Sequence, residues 1–544
     1  TFVANVHFTV LTMVVAVLFG VGTDYSIFIL ARYREELIKG ASYKDAMHTS
    51  IAWTGESIAT SGATVIISFS VLSLSSFSML QTMGMVLGIV ILIALLVALT
   101  LVPSIALLLK GWLFWPVTGK RWEKFRENYA RRRKEKRGGY FRKAAKFSTK
   151  NAILVFGAAL LISVPTTYLY LTSETSYDFI GGMTDNESVQ GLEVMSESFG
   201  AGRISPTDIV IRFDAPVALE NDTFDAAILD TIENLSAEIS TIDDNVHQIL
   251  GPTRPNGDWV NYSNLSSLDE MDRAMLVMQM KSFIGKDNRT VRLQAIFLDE
   301  PYTSESLDAV QKIRSFLADH RSSNLNLADA EIYVGGASAG MLDIDNIMSV
   351  EFNQMEIGVI IGVFIVLLIV LGSVILPAFA ILSIGLSISW TLAATLLIFG
   401  ELHAKPVLWL MPVVLFIILM GLGMDYNIFI LTRIREEAQK RGNHEKAIIE
   451  AVDRTGGIIT ACALIMTGAF GTLMLSGTTI LQEFGFALSF AVLLDAMLVR
   501  TYITPAIMKL LGPKWTWWAP GRLQRVHPEN MSASKAKDDK ELDD

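Results

Sequence analysis

The sequence predicts a polytopic α-helical membrane protein of about nine spans, built as two parallel repeats, with one external α+β domain inserted between spans. Three observations carry this expectation. Of 544 residues, 51% are hydrophobic and 18% charged, with a mean hydropathy of +0.41, whereas soluble domains carry roughly 25% charged residues. Apolar stretches recur at about 20 residues, the length of helix that crosses roughly 30 Å of hydrocarbon. A 17-residue block near the start of the chain also returns 401 residues later. A purely soluble enzyme is excluded on the first two counts.

Taken in order, spans are expected near 8–31, 51–76, 79–110, 151–171, 355–375, 377–400, 407–431, 454–477 and 482–511. Residues 110–150 hold 15 Lys and Arg against 3 Asp and Glu, including Arg131, Arg132, Arg133, Lys134, Lys136 and Arg137. Such an excess faces the cytoplasm, which orients every span and places 172–354 outside. That external segment is acidic, with 30 Asp and Glu against 11 Lys and Arg between 173 and 350, and the charge keeps an exposed domain soluble. The domain plan is then 1–112 (three spans), 113–149 (basic linker), 150–171 (one span), 172–354 (external domain), 355–511 (five spans) and 512–544 (a disordered cytoplasmic tail).

Within the external segment the patterning predicts strands at 208–213, 289–297 and 331–334 and helices at 224–239 and 304–317, a split β-α-β layer. Met271, Met275, Met278 and Met280 form a hydrophobic stripe read as core, with a path for lipid as the alternative. Six N-x-[ST] sequons, at Asn186, Asn221, Asn234, Asn261, Asn264 and Asn288, fit an external location and equally an Asn- and Ser-rich composition. The single cysteine, Cys462, excludes intramolecular disulfides and argues against a cysteine metal site. No histidine pair has helical zinc spacing and no phosphate-binding loop motif occurs, so neither metal nor nucleotide is expected as a cofactor, and nucleic acid is not an expected partner.

The repeat aligns Gly20-Val-Gly-Thr-Asp-Tyr-Ser-Ile-Phe-Ile-Leu-Ala-Arg-Tyr-Arg-Glu-Glu36 with Gly421-Leu-Gly-Met-Asp-Tyr-Asn-Ile-Phe-Ile-Leu-Thr-Arg-Ile-Arg-Glu-Glu437, and 12 of the 17 positions match. The same offset carries Thr54-Gly55 onto Thr455-Gly456, Leu80-Gln81 onto Leu481-Gln482 and Gly84 onto Gly485, so three helices were copied without gaps. The two Asp-Tyr spans are six crossings apart, an even number, so they run in one direction about an axis along the membrane normal.

These doubled motifs, with the Tyr333-Val-Gly-Gly336 lead into a long helix, resemble the MMPL family of the resistance-nodulation-division superfamily over residues 1 to about 512. The resemblance implies twelve spans in two six-helix halves, an external porter domain in each half, export of lipids and other hydrophobic molecules, and the proton gradient as energy source. On that comparison the nine spans are the fourth to twelfth. The second half starts near Lys150, so its counterpart would start about 250 residues upstream of Thr1, and an N-terminal part with three spans and a first external domain is expected to be missing.

Asp24 lies eight residues before Arg32, hence about 12 Å inside the cytoplasmic edge of its helix, and Asp425 repeats this spacing before Arg433. A carboxylate at that depth costs about 2.5 kcal/mol or more and faces the bundle interior or a water path. If the halves face each other, Tyr25 and Tyr426 can each bond the opposite aspartate, giving a four-residue proton-coupling centre, the role the resemblance also implies for these pairs. Gly20, Gly22, Gly421 and Gly423 are read as helix-packing positions. Thr60, Ser61, Thr64, Ser68, Thr460 and Thr467 either extend the relay or bond their own helix carbonyls. Asp495 and Arg500, opposite Ala94 and Leu99 in the first half, form an asymmetric relay candidate. Glu56 and Glu483 read as interfacial, and the Arg-x-Arg-Glu-Glu runs as solvated helix ends. The function expected is a non-enzymatic proton-driven exporter in the cell membrane, partnered by lipids and a hydrophobic substrate, with a homo-oligomer compatible. A sterol-sensing or receptor-like protein of the same superfamily and a SecDF-like export accessory are the alternatives.

Overall fold

The computed structural model describes residues 8–117, 121, 123, 124, 139–172, 186–219, 223–262, 269–323, 327–401 and 407–518. The basic run 131–137, the tail from 519, Asn221 and Asn264 lie outside the described residues. The chain divides into two units, 1–175 with 351–544, and 176–350.

The first unit is a helical bundle. Among the described residues, nine helices are long and apolar enough to span a membrane, as the hydropathy predicts. In order they begin with α1 (Phe8–Ile38), α2 (Tyr43–Leu72) and α3 (Ser78–Leu109). After the short α4 (Tyr140–Lys150) comes α5 (Ala152–Thr172). The helix Ala337–Leu371 leads back into the bundle, followed by Ile375–Thr395, Leu410–Arg441, His444–Gly471 and Thr479–Leu494. The last of these continues through a wide π-wound stretch, Asp495–Ile503, into Thr504–Thr516.

The repeat explains the packing. α2 starts at Ser42, whose hydroxyl accepts from the Asp45 N–H at 3.2 Å, and His444–Gly471 starts at Asn443, whose carbonyl oxygen accepts from the Lys446 N–H at 3.0 Å. Both are N-caps, and they are 401 residues apart. Helix α1 packs on His444–Gly471, and Leu410–Arg441 packs on α2, so each repeat lends its first helix to the second helix of the other. Leu410–Arg441 is thereby enclosed, with 94% of its apolar window buried against 22% for α3. The outer face of α3 shows Ile89, Leu92, Ile93, Leu96 and Leu101. Apolar and exposed together, that face belongs against lipid.

The second unit is an α+β fold. Its strands are β1 (Thr207–Arg212), β2 (Val246–Leu250), β3 (Thr290–Phe297) and β4 (Glu331–Gly335), in the order β2-β3-β1-β4 with every pairing antiparallel. Helices Ala226–Ile239 and Ser304–Ser323 cross between strands and bury Ile228, Ile232, Leu235, Val310 and Ile313 against Ile209, Ile211, Leu293 and Ala295. This is the split β-α-β layer expected from the patterning, with β2 added at one edge. At the turn into β3, Asp287 accepts from the N–H groups of Arg289 and Thr290 and from the Thr290 hydroxyl at 2.7 Å, which holds its carboxyl down at about 2. The methionine stripe departs from expectation. Met280 is core, but Met271, Met275 and Met278 are exposed, because helix Glu270–Lys281 packs only its Val277 and Met280 side inward.

Candidate functional site

Asp24 and Asp425 face the interior of the bundle, 1% and 5% exposed, and Tyr25 and Tyr426 are fully enclosed beside them. Helices carrying such side chains sit together because the pseudo-two-fold packing described above turns the same face of each repeat inward. The Tyr426 hydroxyl donates to Asp24 Oδ2 at 2.6 Å, joining the second repeat to the first. A phenol has one proton, so the Met466 Sδ atom 2.9 Å away makes a contact on the remaining side of that oxygen.

The other half of the expected exchange is not formed. Tyr25 does not donate to Asp425; its oxygen accepts from the Ser61 hydroxyl at 3.4 Å, and Ser61 also lies within reach of Asp425. The Cys462 thiol is placed the same way against Asp24. Cys462 is Ser61 shifted by 401 residues, so the repeat builds one polar second-helix side chain against each aspartate. Applying the offset to Ser61 would have found it.

The rest of the predicted relay sorts by contact. Thr60, Thr64 and Ser68 donate to carbonyls of their own helix, those of Glu56, Ser61 and Thr64. Thr467 bonds the Ser489 carbonyl at 3.4 Å and Thr460 is partly exposed, so neither is brought to the aspartates. Asp495 and Arg500 do come to the centre. Arg500 Nε donates to Asp495 Oδ2 at 3.1 Å, a second guanidinium nitrogen bonds the same oxygen and the Gly423 carbonyl, and the group lies 5.6 Å over the Tyr426 ring. Residues five apart diverge by about 140° on an α-helix; the π-winding of Asp495–Ile503 brings them into register. Oδ1 of Asp24, Asp425 and Asp495 and one Nη of Arg500 are buried without a hydrogen-bond partner. The guanidinium thus joins Asp495 and the face of Tyr426, through whose hydroxyl Asp24 is tied in, and the three carboxyls each keep an acceptor position open for a proton or water.

The motif glycines divide. A side chain at Gly421 would meet Val65 Cα at 3.3 Å, one at Gly423 would meet Ile384 at 3.4 Å and Asp495 at 4.0 Å, and one at Gly20 would meet Met466 at 3.5 Å. Nothing lies within 4 Å at Gly22, so the packing reading fails there. Glu483, expected at the interface, is buried at 3% exposure and accepts from the Leu408 N–H at 3.3 Å. The Arg-x-Arg-Glu-Glu runs, expected to be solvated, are largely withdrawn from solvent apart from the exposed Arg34. Arg32 reaches Glu436 at 3.8 Å, Arg433 reaches Glu35 at 3.6 Å, and Arg433 and Glu437 are buried, because the two helix ends converge and neutralise each other. Arg454 joins them through Glu437 at 3.1 Å.

The model of the MMPL family matches residues 1–150 and 181–531. The chain belongs to the MMPL family. Its relatives within and around that family include the apo-petrobactin exporter of Bacillus anthracis, 25% identical over 95% of this chain and 64% of its own length. The mycolic acid-containing lipids exporter MmpL11 of Mycolicibacterium smegmatis is 25% identical over 94% of this chain and 49% of its own, and the membrane protein YdfJ of Bacillus subtilis is 26% identical over 93% and 63%. This MMPL chain thus spans about half to two thirds of the length of the curated relatives it matches. It is a multi-pass membrane protein.

Proposed function

We propose that this MMPL chain carries the coupling machinery of a proton-driven exporter of lipids or other hydrophobic or amphipathic molecules, with residues 172–354 outside and the basic linker and tail in the cytoplasm. The observation that carries the reading is the Tyr426 to Asp24 bond, which ties the first helix of one repeat to the first helix of the other. The exporters among its relatives support the transport class.

The bond works as a switch because its strength depends on charge. An ionised Asp24 accepts the Tyr426 proton in a charge-assisted bond; a proton taken up on the open Oδ1 leaves Oδ2 an acceptor but removes the charge, so the bond weakens. Weakening it frees α1 and Leu410–Arg441 to shift until Tyr25 bonds Asp425, the mirror of the present arrangement. Arg500, pinned to Asp495 and bonded to the Gly423 carbonyl two residues before Asp425, supplies a fixed positive charge beside this exchange. Each proton crossing the field supplies about 2.3 kcal/mol per 100 mV, enough to bias two packings that differ by a few kcal/mol.

The test is proton-gradient-driven efflux of a fluorescent lipid analogue from vesicles holding the full-length protein. Asp24→Asn and Asp425→Asn keep shape and remove the titrating proton, and each should lower flux by about a hundredfold or more. Gradient-dependent flux that survives both substitutions overturns the mechanism.

A further inference from the structure

The coupling centre needs a supply of protons, and one helix of the bundle carries a polar line that none of the groups above uses. Ile375–Thr395 places Ser383, Ser387, Thr391 and Thr395 four residues apart, on one face, and all four are at most 1% exposed in a largely apolar helix whose other hydroxyl, Ser389, turns to Thr166 and Thr167. The helix packs on Thr479–Leu494, and because the two spans are three crossings apart they run in opposite directions. At its lower rung, Ser387, whose hydroxyl bonds the Ser383 carbonyl at 3.3 Å, stands beside Asp495, whose Oδ1 is buried and unpartnered. One rung up, the Thr391 hydroxyl is buried with no partner at all. At the other end stands Glu483, twelve residues before Asp495 on the facing helix, buried and, among the described residues, bonded to the Leu408 N–H.

Helical rise sets the heights. Taking Asp495 and Ser387 as one level, Thr391 stands about 6 Å above, Thr395 about 12 Å and Glu483 about 18 Å, toward the end of the bundle where Leu410–Arg441 begins. Rungs about 6 Å apart are bridged by one water making two hydrogen bonds of about 2.8 Å. We propose that Glu483, Thr395, Thr391 and Ser387 form a proton-uptake line that delivers protons from the outer end of the bundle to Asp495 and so to the Asp24 and Asp425 centre; it rests on the proton-driven reading above. A hop conserves atoms. Each hydroxyl accepts a proton on its free lone pair and passes its own to the next water, so only Glu483 and Asp495 change protonation. The line belongs to the second repeat alone, because the positions matching Glu483, Asp495 and Arg500 are Thr82, Ala94 and Leu99. Asp495 is faced by Arg500, and no charged side chain is recorded against Glu483 among the described residues.

If these hydroxyls served only to bond their own helix carbonyls, as Thr395 does to Thr391 at 2.8 Å and Ser387 to Ser383 at 3.3 Å, removing the unpartnered Thr391 hydroxyl would be harmless. The experiment separates the two. Full-length protein in vesicles with an entrapped pH dye is given an acid step on the outer side, and the initial proton influx is read for wild type, Glu483→Gln, Thr391→Val, Thr391→Ser and Asp425→Asn. The line predicts about a tenfold or greater loss, 1.36 kcal/mol of barrier, in Glu483→Gln and Thr391→Val, with Thr391→Ser restored to the wild-type rate. Influx lost in Asp425→Asn but unchanged in Glu483→Gln and Thr391→Val overturns the line and leaves the coupling centre standing. Influx lost in the line variants but unchanged in Asp425→Asn supports the line and overturns the centre, and no influx in wild type overturns both.

Discussion

At the scale of single residues the centre is asymmetric although the sequence is not. Tyr426 donates a 2.6 Å bond to Asp24, while Tyr25, the same residue in the other copy, holds only a 3.4 Å contact with Ser61. Removing the Tyr426 hydroxyl leaves a buried carboxyl short of a donor, a loss of about 1–3 kcal/mol. Tyr426→Phe should therefore lower thermal stability clearly and Tyr25→Phe by less than about 1 kcal/mol. Transport should fall in both, since each tyrosine takes its turn in the cycle; equal thermal shifts for the two variants would contradict the one-sided arrangement. The identity of the four residues was legible because the motif is doubled, and so was the pairing of Tyr426 with Asp24. What the sequence could not carry is which of two equivalent bonds is made. Identical side chains have identical propensities, and the choice is set by their surroundings, where the second repeat brings Asp495 and Arg500 to the centre while the matching positions of the first are Ala94 and Leu99.

Between elements, the glycines of the repeat do different work according to what stands opposite. Gly84 and Gly485, the same position in the two copies, let the third helix of each repeat ride over the turn that ends the second. A Cβ at Gly84 would meet Ser73 N at 2.4 Å and Phe69 O at 2.6 Å, and one at Gly485 would meet Met474 N at 2.7 Å. Backbone atoms cannot step aside, so Gly84→Ala and Gly485→Ala should each cost about 1–3 kcal/mol through displacement of the helix. Gly22→Ala should be neutral or stabilising by up to about 1 kcal/mol, because its surroundings are open and alanine favours helix. Thermal unfolding of the three variants checks this, and a Gly22→Ala loss as large as that of Gly84→Ala would refute it. Spans and strands were readable from periodicity, since burial in lipid or against a sheet imprints the pattern directly. The π-winding that brings Asp495 onto Arg500, the antiparallel β2 edge and the outward methionines were not, because they depend on neighbours distant in sequence. The burial of Glu483 and of the Arg-x-Arg-Glu-Glu ends escaped for the same reason.

Across the whole bundle, the two repeats are joined at two levels: the tyrosine-aspartate centre and, about two helical turns away, the charged ends of the same helices. There the pairing is reciprocal. Arg32 of the first repeat meets Glu436 of the second at 3.8 Å, Arg433 of the second meets Glu35 of the first at 3.6 Å, and each contact maps onto the other under the 401-residue offset. Since α1 and Leu410–Arg441 carry both levels, a change of bond at the centre must be matched by a change of distance at the ends. A charge whose partner is removed stays partly buried, which is costly, whereas exchanging the two partners keeps the pair. Arg32→Glu alone should therefore depress both thermal stability and transport, and Glu436→Arg alone should do the same. The double exchange should recover part of each loss, with a coupling of about 0.5–3 kcal/mol in a double-mutant cycle. Glu436 is also bonded to Arg433 and Lys440, so recovery will be incomplete. Additive single effects would mean that the repeats do not bear on each other at this level, and that the centre alone holds them in register.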